Sequence, residues 1–309
     1  MANIAIVGCG GIGSRHLQAS ATNKKINKIQ CIDLSKKNIE MSKGRLREVN
    51  STKEVSFLSS VVDLDKNIDI CIIATPAPPR KKIILDILQY SKVKNFILEK
   101  IVFQQEQDFE DIIEIFKSKN INCWVNCHSR AEERYQYIKS NINRDLPLDV
   151  EVLYPKNYNL GSAMIHCLDL FCYLTDNYEL AVDPNMLEDK IYNSKHAGHI
   201  EVKGTITATN NVGDKIAIKL GNVKEQTYTF KDGVNQYVSC EADDYFYCNS
   251  QKIESDFLWQ NKLTKLYIDD IIDNGSCCSL PTLEQSYLVH KSMFRPIKKY
   301  FNLSEVKIT

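Results

Sequence analysis

The sequence lacks long apolar runs and any charge surplus, and each absence argues against a class of protein. The longest apolar stretches, such as residues 70–74, have the length of a strand and are too short to span a bilayer. Lys plus Arg and Asp plus Glu both number 39, so the net charge favours neither nucleic acid nor a basic partner. The first residues lead directly into a strand-like segment without the pattern of a signal peptide. We therefore expect a cytoplasmic protein that binds neither nucleic acid nor membranes.

Paired-cysteine motifs are also missing. The 11 cysteines include no Cys-x-x-Cys pair and no Cys/His spacing typical of zinc, so we expect no metal site. In the cytosol they should be reduced, and most fall in apolar patterns where they act as small buried hydrophobic side chains. Cys277 and Cys278 adjoin a predicted loop, where a redox role is an alternative to a loop without function.

The most informative segment is a glycine-rich turn at residues 8–13. It lies between a predicted strand at 3–7 and a predicted helix that begins at residue 13. In this context the first glycine allows the tight turn, the second lets the backbone approach a pyrophosphate, and the last lets the helix pack closely on the strand. The residues predicted to contact a dinucleotide here are Gly8, Cys9, Gly10, Gly11, Ile12 and Gly13.

Asp33 bears on the choice of dinucleotide. It ends a second predicted strand and follows Gly13 by twenty residues. A carboxylate at this position accepts a hydrogen bond from a ribose 2′-hydroxyl and repels a 2′-phosphate, which predicts NAD rather than NADP. Ser35, Lys36 and Lys37 leave the alternative open, because they could surround a phosphate.

The first 120 residues alternate between strand and helix patterns, and this alternation predicts a Rossmann-type, doubly wound parallel sheet. The strands are predicted at 3–7, 28–33, 55–58, 69–75, 95–99 and 121–126, and the helices at 13–23, 35–48, 79–90 and 106–118. We assign residues 1–122 to this dinucleotide-binding domain. Ligands bind beyond the carboxyl ends of such strands, so functional residues are expected directly after them.

Residues 123–309 show a different pattern and predict an α+β domain for substrate binding and oligomerisation. Its sheet is predicted to be open and mostly antiparallel, with strands within 199–248, helices at 163–174 and 257–273, and a C-terminal helix at about 282–300 that packs back on the first domain. An open sheet needs a cover, so we expect a homodimer or homotetramer formed through its open face.

Two dipeptides follow predicted strands of the first domain. Thr75 and Pro76 begin a rigid loop predicted to pass the nicotinamide, although a stiff turn without function explains the prolines equally well. Glu99 and Lys100 place an ionisable pair at the strand edge. A lysine beside a hydroxyl acts as a general acid or base if its pKa is lowered, and a surface ion pair is the alternative.

A further candidate lies on the predicted helix after Gly161. His166 and Asp169 are spaced i, i+3 and share one face of that helix. Histidine exchanges protons with a carbonyl or hydroxyl near neutral pH, whereas a histidine on an apolar helix is otherwise a core residue.

These features occur together in an order that resembles the glucose-fructose oxidoreductase, inositol dehydrogenase and MocA family. The resemblance covers the whole chain and depends most on Glu99-Lys100 and on His166-x-x-Asp169. It implies an NAD(P)-dependent oxidoreductase acting on the CH-OH group of a sugar, nucleotide sugar or inositol-like substrate. It also implies that Lys100 contacts the reacting hydroxyl and that His166 exchanges its proton. The residues implied to bind substrate are Glu99, Asn126, His128, Arg130 and Asp169, and those implied to contact the cofactor outside the glycine turn are Asp33, Thr75, Pro76, Arg80, Glu99 and Lys100.

Three positions depart from the family pattern. Ile101 replaces the proline that usually follows Glu-Lys, Arg80 replaces a histidine, and Ser162 stands where many members have an aspartate that orients the imidazole. These departures keep two alternatives open. One is an NAD-binding regulator or scaffold without turnover, and the other is a small reductase similar to biliverdin reductase.

Overall fold

The computed structural model describes residues 1–194, 198–255, 258–275 and 277–308. The chain divides into two compact units, the first formed by Met1–Asn126 with Leu258–Leu283 and the second by Cys127–Phe257 with Glu284–Thr309. The predicted helix at 257–273 is observed at Gln260–Asn274, and residue 257 lies outside the described residues.

The first unit contains a parallel sheet in the order β3-β2-β1-β4-β5-β6. Its strands are β1 (Ala2–Val7), β2 (Ile26–Ile32), β3 (Glu54–Leu58), β4 (Asn67–Ile73), β5 (Lys92–Leu98) and β6 (Asn122–Val125). Its helices are α1 (Gly13–Thr22), α2 (Lys36–Glu48), α3 (Arg80–Tyr90), α4 (Glu106–Ser118) and α7 (Gln260–Asn274). The predicted doubly wound sheet is confirmed, since all of its predicted strands and helices are present with end points shifted by a few residues. The chain reverses its strand order between β1 and β4, where such sheets bind ligands.

The predicted boundary after residue 122 cuts through β6, because this strand pairs with β5 and so belongs to the first sheet. The boundary between the units lies four residues later, after Asn126. Helix α7 returns to the first unit and packs on α1, where Asn23 Nδ2 donates to Asp269 Oδ1 at 2.9 Å. The packing of the C-terminal helix on the first unit stays a prediction.

The second unit contains an eight-stranded sheet, counted over its described residues, in the order β16-β15-β14-β13-β7-β12-β11-β8. Its strands are β7 (Asp149–Pro155), β8 (Leu180–Leu187), β11 (Gly204–Asn210), β12 (Lys215–Gly221), β13 (Thr227–Lys231), β14 (Gln236–Cys240), β15 (Tyr245–Cys248) and β16 (Gln251–Lys252). A separate pair comprises β9 (Tyr192–Asn193) and β10 (Ile200–Glu201), and the helices are α5 (Glu133–Asn141), α6 (Met164–Thr175) and α8 (Leu283–Tyr300). Every neighbouring pair of the large sheet is antiparallel except β7 with β12, which confirms the predicted mostly antiparallel sheet.

Strand β8 was not predicted, because Pro184 interrupts its pattern. The structure places β8 at the edge of the sheet, next to β11 only. Proline is tolerated in an edge strand because such a strand has a neighbour on one side only. The missing backbone N–H then costs no hydrogen bond between central strands.

The outer face of this sheet, defined here by Asp149, Glu151 and Leu153 of β7 with Ala217 and Lys219 of β12, is only partly buried. The alternate residues of β7, such as Val152, are buried on the opposite face. This period-two pattern leaves one face of the sheet without a cover within the described part of the unit.

Among the described residues, no helix combines the length and apolar character that a bilayer crossing requires.

Candidate cofactor and active site

Hydrogen bonds between neighbouring strands bring the predicted strand-end residues to one edge of the first sheet. Gly8 N donates to Ile32 O at 2.8 Å, and Ala74 N donates to Val7 O at 2.7 Å. Glu99 N donates to Ile73 O at 3.0 Å, and Asn126 N donates to Leu98 O at 2.8 Å. The ladders therefore place the glycine turn, the loop after β4, Glu99 and Asn126 side by side.

Two glycines of the turn are required by the fold, independently of any ligand. Gly8 has a φ of +92°, and a Cβ there would lie 2.8 Å from the carbonyl carbon of Ala74. A Cβ on Gly13 would lie 1.7 Å from Gly8 O, so this glycine permits the close approach of α1 to β1. Both positions serve the turn and the helix packing predicted from the sequence.

The other two glycines face open space. A Cβ on Gly10 would have only Asn38 Nδ2 as a neighbour, at 3.9 Å, and a Cβ on Gly11 would have none within 4 Å. Helix α1 begins beside them without a side-chain cap at Ile12 and without an acidic residue in its first turn. Uncapped N–H groups at a helix N-terminus are suited to an anion, so the turn fits a pyrophosphate.

Asp33 is anchored by the turn and by the start of α2. Its Oδ2 accepts hydrogen bonds from Cys9 N at 2.7 Å and from Asn38 Nδ2 at 3.0 Å, and its Oδ1 accepts one from Ser35 N at 2.7 Å. A carboxylate offers about four acceptor positions, so Oδ1 retains capacity for a hydroxyl donor. The predicted position of this acid is therefore compatible with a ribose ligand.

Two further features of this edge suit a ligand. Thr75 Oγ1 is buried and has no hydrogen-bond partner in the described part of the chain. Leu34, directly after Asp33, is 91% exposed and offers an apolar surface next to that carboxylate. Arg45 of α2, which the sequence did not single out, donates to Gly11 O and Ser14 Oγ and brings a positive charge to the turn.

Arg80 is buried among backbone carbonyls of its own unit. The side chain is 1% exposed, and its guanidinium donates to the backbone carbonyls of Thr75, Glu99, Ile101 and Val102. These contacts join the loop after β4 to the segment after β5, where the Lys100–Ile101 peptide is cis. Burial lowers the pKa of Arg80 to about 10, which leaves the group charged at neutral pH. The contacts support a positioning role, and direct cofactor binding stays a prediction.

Glu99 is partly exposed and is held by side chains of its own unit. Its Oε1 contacts His16 Nε2 at 2.9 Å and accepts from Asn126 Nδ2 at 2.6 Å, while His16 Nδ1 contacts Thr264 Oγ1 at 2.8 Å. His16 was missed because its partners are 83 and 248 residues away, so no local pattern marks it. The half-buried Lys100 follows this network, which orients the end of β5.

We expect the Glu99 network to make stability depend on pH. Burial raises the pKa of Glu99, but the hydrogen bond from His16 and the charges of His16 and Lys100 lower it more, so the net pKa falls below 4.5. A depressed folded-state pKa stabilises the protein above the unfolded value, and the gain disappears as pH falls through the folded value. Between pH 6 and 3.5, the free energy of unfolding measured with urea should therefore fall more steeply in wild type than in Glu99→Gln. Equal slopes for the two proteins would contradict this role.

In the second unit, Arg130 and Asp169 form a buried ion pair. Arg130 Nη2 lies 2.7 Å from Asp169 Oδ1, Nε lies 3.0 Å from Oδ2, and Tyr178 Oη adds a contact at 3.1 Å. Arg130 is 5% and Asp169 2% exposed. This bidentate pair joins the turn after β6 to α6, so the contacts support a structural role, and substrate binding by either residue stays a prediction.

His128 and His166 lie together in the same unit. Their ring centroids are 5.0 Å apart, and both side chains are partly exposed, unlike the neighbouring ion pair. The structure therefore brings together two predicted site residues from different elements, the turn after β6 and helix α6.

Most of the first unit matches a known family model. Residues 2–127 match the family model GFO_IDH_MocA, described as an oxidoreductase family with an NAD-binding Rossmann fold. This match to an NAD-binding Rossmann domain confirms the predicted resemblance and NAD as the predicted cofactor. No curated protein matches the chain.

Solved structures of similar fold cover nearly the whole chain at low sequence identity. An oxidoreductase from Agrobacterium radiobacter in complex with NAD+, L-tartaric acid and magnesium has a TM-score of 0.71 at 14% identity, with 93% of each chain covered. UDP-N-acetylglucosamine 3-dehydrogenase GnnA from Acidithiobacillus ferrooxidans has a TM-score of 0.67 at 15% identity, covering 94% of this chain and 95% of its own. GenD2 from gentamicin A biosynthesis, in complex with NAD, has a TM-score of 0.74 at 10% identity, covering 100% of this chain and 96% of its own. These similarities show a shared fold across both units.

Proposed function

We propose that this protein is an NAD-dependent oxidoreductase that transfers a hydride to or from the hydroxyl-bearing carbon of a sugar, nucleotide sugar or inositol-like substrate. The observation that carries the proposal is the open space at Gly10 and Gly11 beside the uncapped start of α1. The fold itself places no atom closer than Asn38 Nδ2, which lies 3.9 Å from a Cβ on Gly10, so a pyrophosphate has room there. The known activity of GnnA on a nucleotide sugar supports this substrate class.

The bound nicotinamide would supply the hydride acceptor or donor. Asp33 would accept a hydrogen bond from the adenosine ribose, the backbone at Gly10 and Gly11 would face the pyrophosphate, and Thr75 Oγ1 would provide a polar contact in the loop after β4. Lys100 would contact the reacting hydroxyl, and His166 would take up its proton during oxidation and return it during reduction. Glu99, held by His16 and Asn126, would orient the segment that carries Lys100.

Direct binding measurements test the cofactor part of this proposal. We expect calorimetric titration to give at least about tenfold tighter binding of NAD than of NADP, because the Asp33 carboxylate repels a 2′-phosphate. Asp33→Asn keeps the shape of the side chain and removes its charge. The ratio of NAD affinity to NADP affinity should therefore fall, mainly because NADP binds more tightly.

Lys36→Ala and Lys37→Ala are the matched variants for the alternative in which lysines hold a 2′-phosphate. Tighter binding of NADP by wild type, lost in these variants, would overturn the role given to Asp33. Turnover is then measured as absorbance of NADH at 340 nm with sugars, nucleotide sugars and inositols. NAD binding without turnover on any of them would favour the regulator or scaffold.

We also propose that a second copy of the chain covers the outer face. Asp149 and Glu151 on this face already form ion pairs with Lys215 and Lys219, so little unpaired charge opposes burial of the strands. Light scattering after size exclusion should give a multiple of the 35.4 kDa chain mass. Ala217→Arg at the centre of the face should lower that mass, and a monomeric wild type would refute the proposal.

A further inference from the structure

A buried carboxylate lies beside the histidine pair of the second unit. Glu132 is 0% exposed, and its Oε1 lies 3.3 Å from Nδ1 of His128, one turn earlier in the chain. His128 begins a short 3₁₀ turn at His128–Ala131, and Glu132 directly precedes α5. The pair therefore sits on two adjoining elements that fix its geometry.

His128 connects this carboxylate to the proposed proton-exchanging residue. Its ring lies against that of His166, with centroids 5.0 Å apart and planes tilted by 50°. The side chain of His128 keeps 24% of its surface exposed, whereas that of Glu132 is enclosed. The order of groups is thus a buried carboxylate, a partly exposed imidazole and the imidazole of His166.

The charges around the pair come from several elements. Arg134 Nε of α5 lies 3.8 Å from Glu132 Oε2, and Arg134 also pairs with Asp244. Glu241, which accepts a hydrogen bond from Tyr135 Oη at 2.9 Å, adds a negative charge nearby, and the charge of His128 also acts on the carboxylate of Asp169.

This environment brings Glu132 into the range where imidazoles titrate. Burial and the charge of Glu241 raise the pKa of Glu132 to about 7, although the hydrogen bond with His128 and the charge of Arg134 oppose the rise. An ordinary imidazole titrates near 6.5. A proton on the adjacent imidazole of His128 favours the charged form of the Glu132 carboxylate.

We propose that Glu132 and His128 form a positioning and charge-balancing pair for His166, in place of the carboxylate that is missing at Ser162. The inference rests on the proposed function. During oxidation, the substrate O–H bond breaks, its proton moves to an imidazole nitrogen of His166 and its electron pair forms the C=O bond. The C–H bond breaks at the same carbon, and its hydride would pass to the nicotinamide of bound NAD. A negative charge on Glu132 offsets the positive charge that then develops on the two imidazoles, and its hydrogen bond holds the ring of His128 against that of His166.

Kinetics of Glu132→Gln test this role. The amide keeps a hydrogen-bond acceptor but carries no charge, so we expect kcat to fall by about 10- to 100-fold with KM within about twofold of wild type. The acid limb of the kcat–pH profile should move to lower pH, because an imidazole without a carboxylate partner protonates less readily. Asp214→Asn is the matched control, since Asp214 is a buried carboxylate of the same unit paired with Arg144 and distant in sequence from the pair. It should leave kcat and the pH profile unchanged.

A second variant separates positioning from simple packing. His128→Phe keeps an aromatic ring against His166 but removes the hydrogen bond with Glu132, and it should show the same loss in kcat. Full activity in either variant, with the wild-type pH profile, would overturn the proposal.

Nitrogen NMR of ¹⁵N-histidine protein gives a readout that needs no turnover. In wild type the tautomer of His128 should be fixed by Glu132, and Glu132→Ala should change the ring ¹⁵N shifts of both His128 and His166. Unchanged His166 shifts would refute the pair. If these shifts change but no substrate is turned over, the pair stands as a structural coupling and the proposed oxidoreductase activity fails instead.

Discussion

Alanine at Lys100 or at His166 lowers kcat by about 10²- to 10⁴-fold on the true substrate, because each variant removes a group proposed to act on the reacting hydroxyl. The loss should appear mainly in kcat, since proton exchange matters most in the transition state. The kcat of each variant is measured as the rate of NADH formation at saturating NAD. Each variant should retain the circular dichroism spectrum of wild type.

Lys94→Ala is the matched control for Lys100. Lys94 lies on β5, the strand that precedes Lys100, pairs with Asp69 at 2.8 Å and is largely exposed, so its loss should leave kcat unchanged. Wild-type kcat in Lys100→Ala would remove Lys100 from the mechanism, and wild-type kcat in His166→Ala would remove His166 together with the role of the Glu132–His128 pair.

Substitution at Gly13 destabilises the protein, whereas substitution at Gly11 affects only the cofactor. The Cβ of Gly13→Ala would lie 1.7 Å from Gly8 O, and this contact separates α1 from β1. We expect a loss of about 3 kcal/mol or more in the free energy of unfolding, measured with urea.

Gly11→Ala is the matched variant because its Cβ would meet no atom within 4 Å. Its free energy of unfolding should stay within about 0.5 kcal/mol of wild type, as for other substitutions without new contacts. NAD affinity should fall by about tenfold or more, because the methyl group enters the space assigned to the pyrophosphate. If Gly11→Ala binds NAD as tightly as wild type, the anion lies elsewhere.

The parallel sheet was predictable because its signals are local. The central strands are buried on both faces, so segments such as Ile70–Ile73 read as short apolar runs between helical patterns. The glycine turn is also a local signal, since Gly8 and Gly13 meet each other and the adjacent strand. The predicted doubly wound sheet is confirmed, and these local signals are the reason that the sequence was sufficient to predict it.

The roles of the charged site residues were not predictable in the same way. Arg80 and Glu99 occupy positions where the family resemblance implied ligand contacts, and these contacts stay a prediction. The structure adds that Arg80 is enclosed by backbone carbonyls and that Glu99 is hydrogen-bonded by side chains from separate segments. The sequence records the identity and spacing of a charged residue, whereas its burial depends on which distant segments fold around it. His16 is the clearest example, because its partner Thr264 follows it by 248 residues, and the residues of the second unit lie between them in sequence.

The sequence alone determined the order of strands and helices in the first unit and the glycine turn with its acid, and it named the residues that we propose exchange protons. These properties follow from local backbone geometry and from the alternation of apolar and polar residues. Only the tertiary structure decided that Arg130 and Asp169 neutralise each other and that His128 lies between Glu132 and His166. The physical reason is that the energy of a charge or a hydrogen bond depends on distance and burial, which are set when elements remote in sequence pack together.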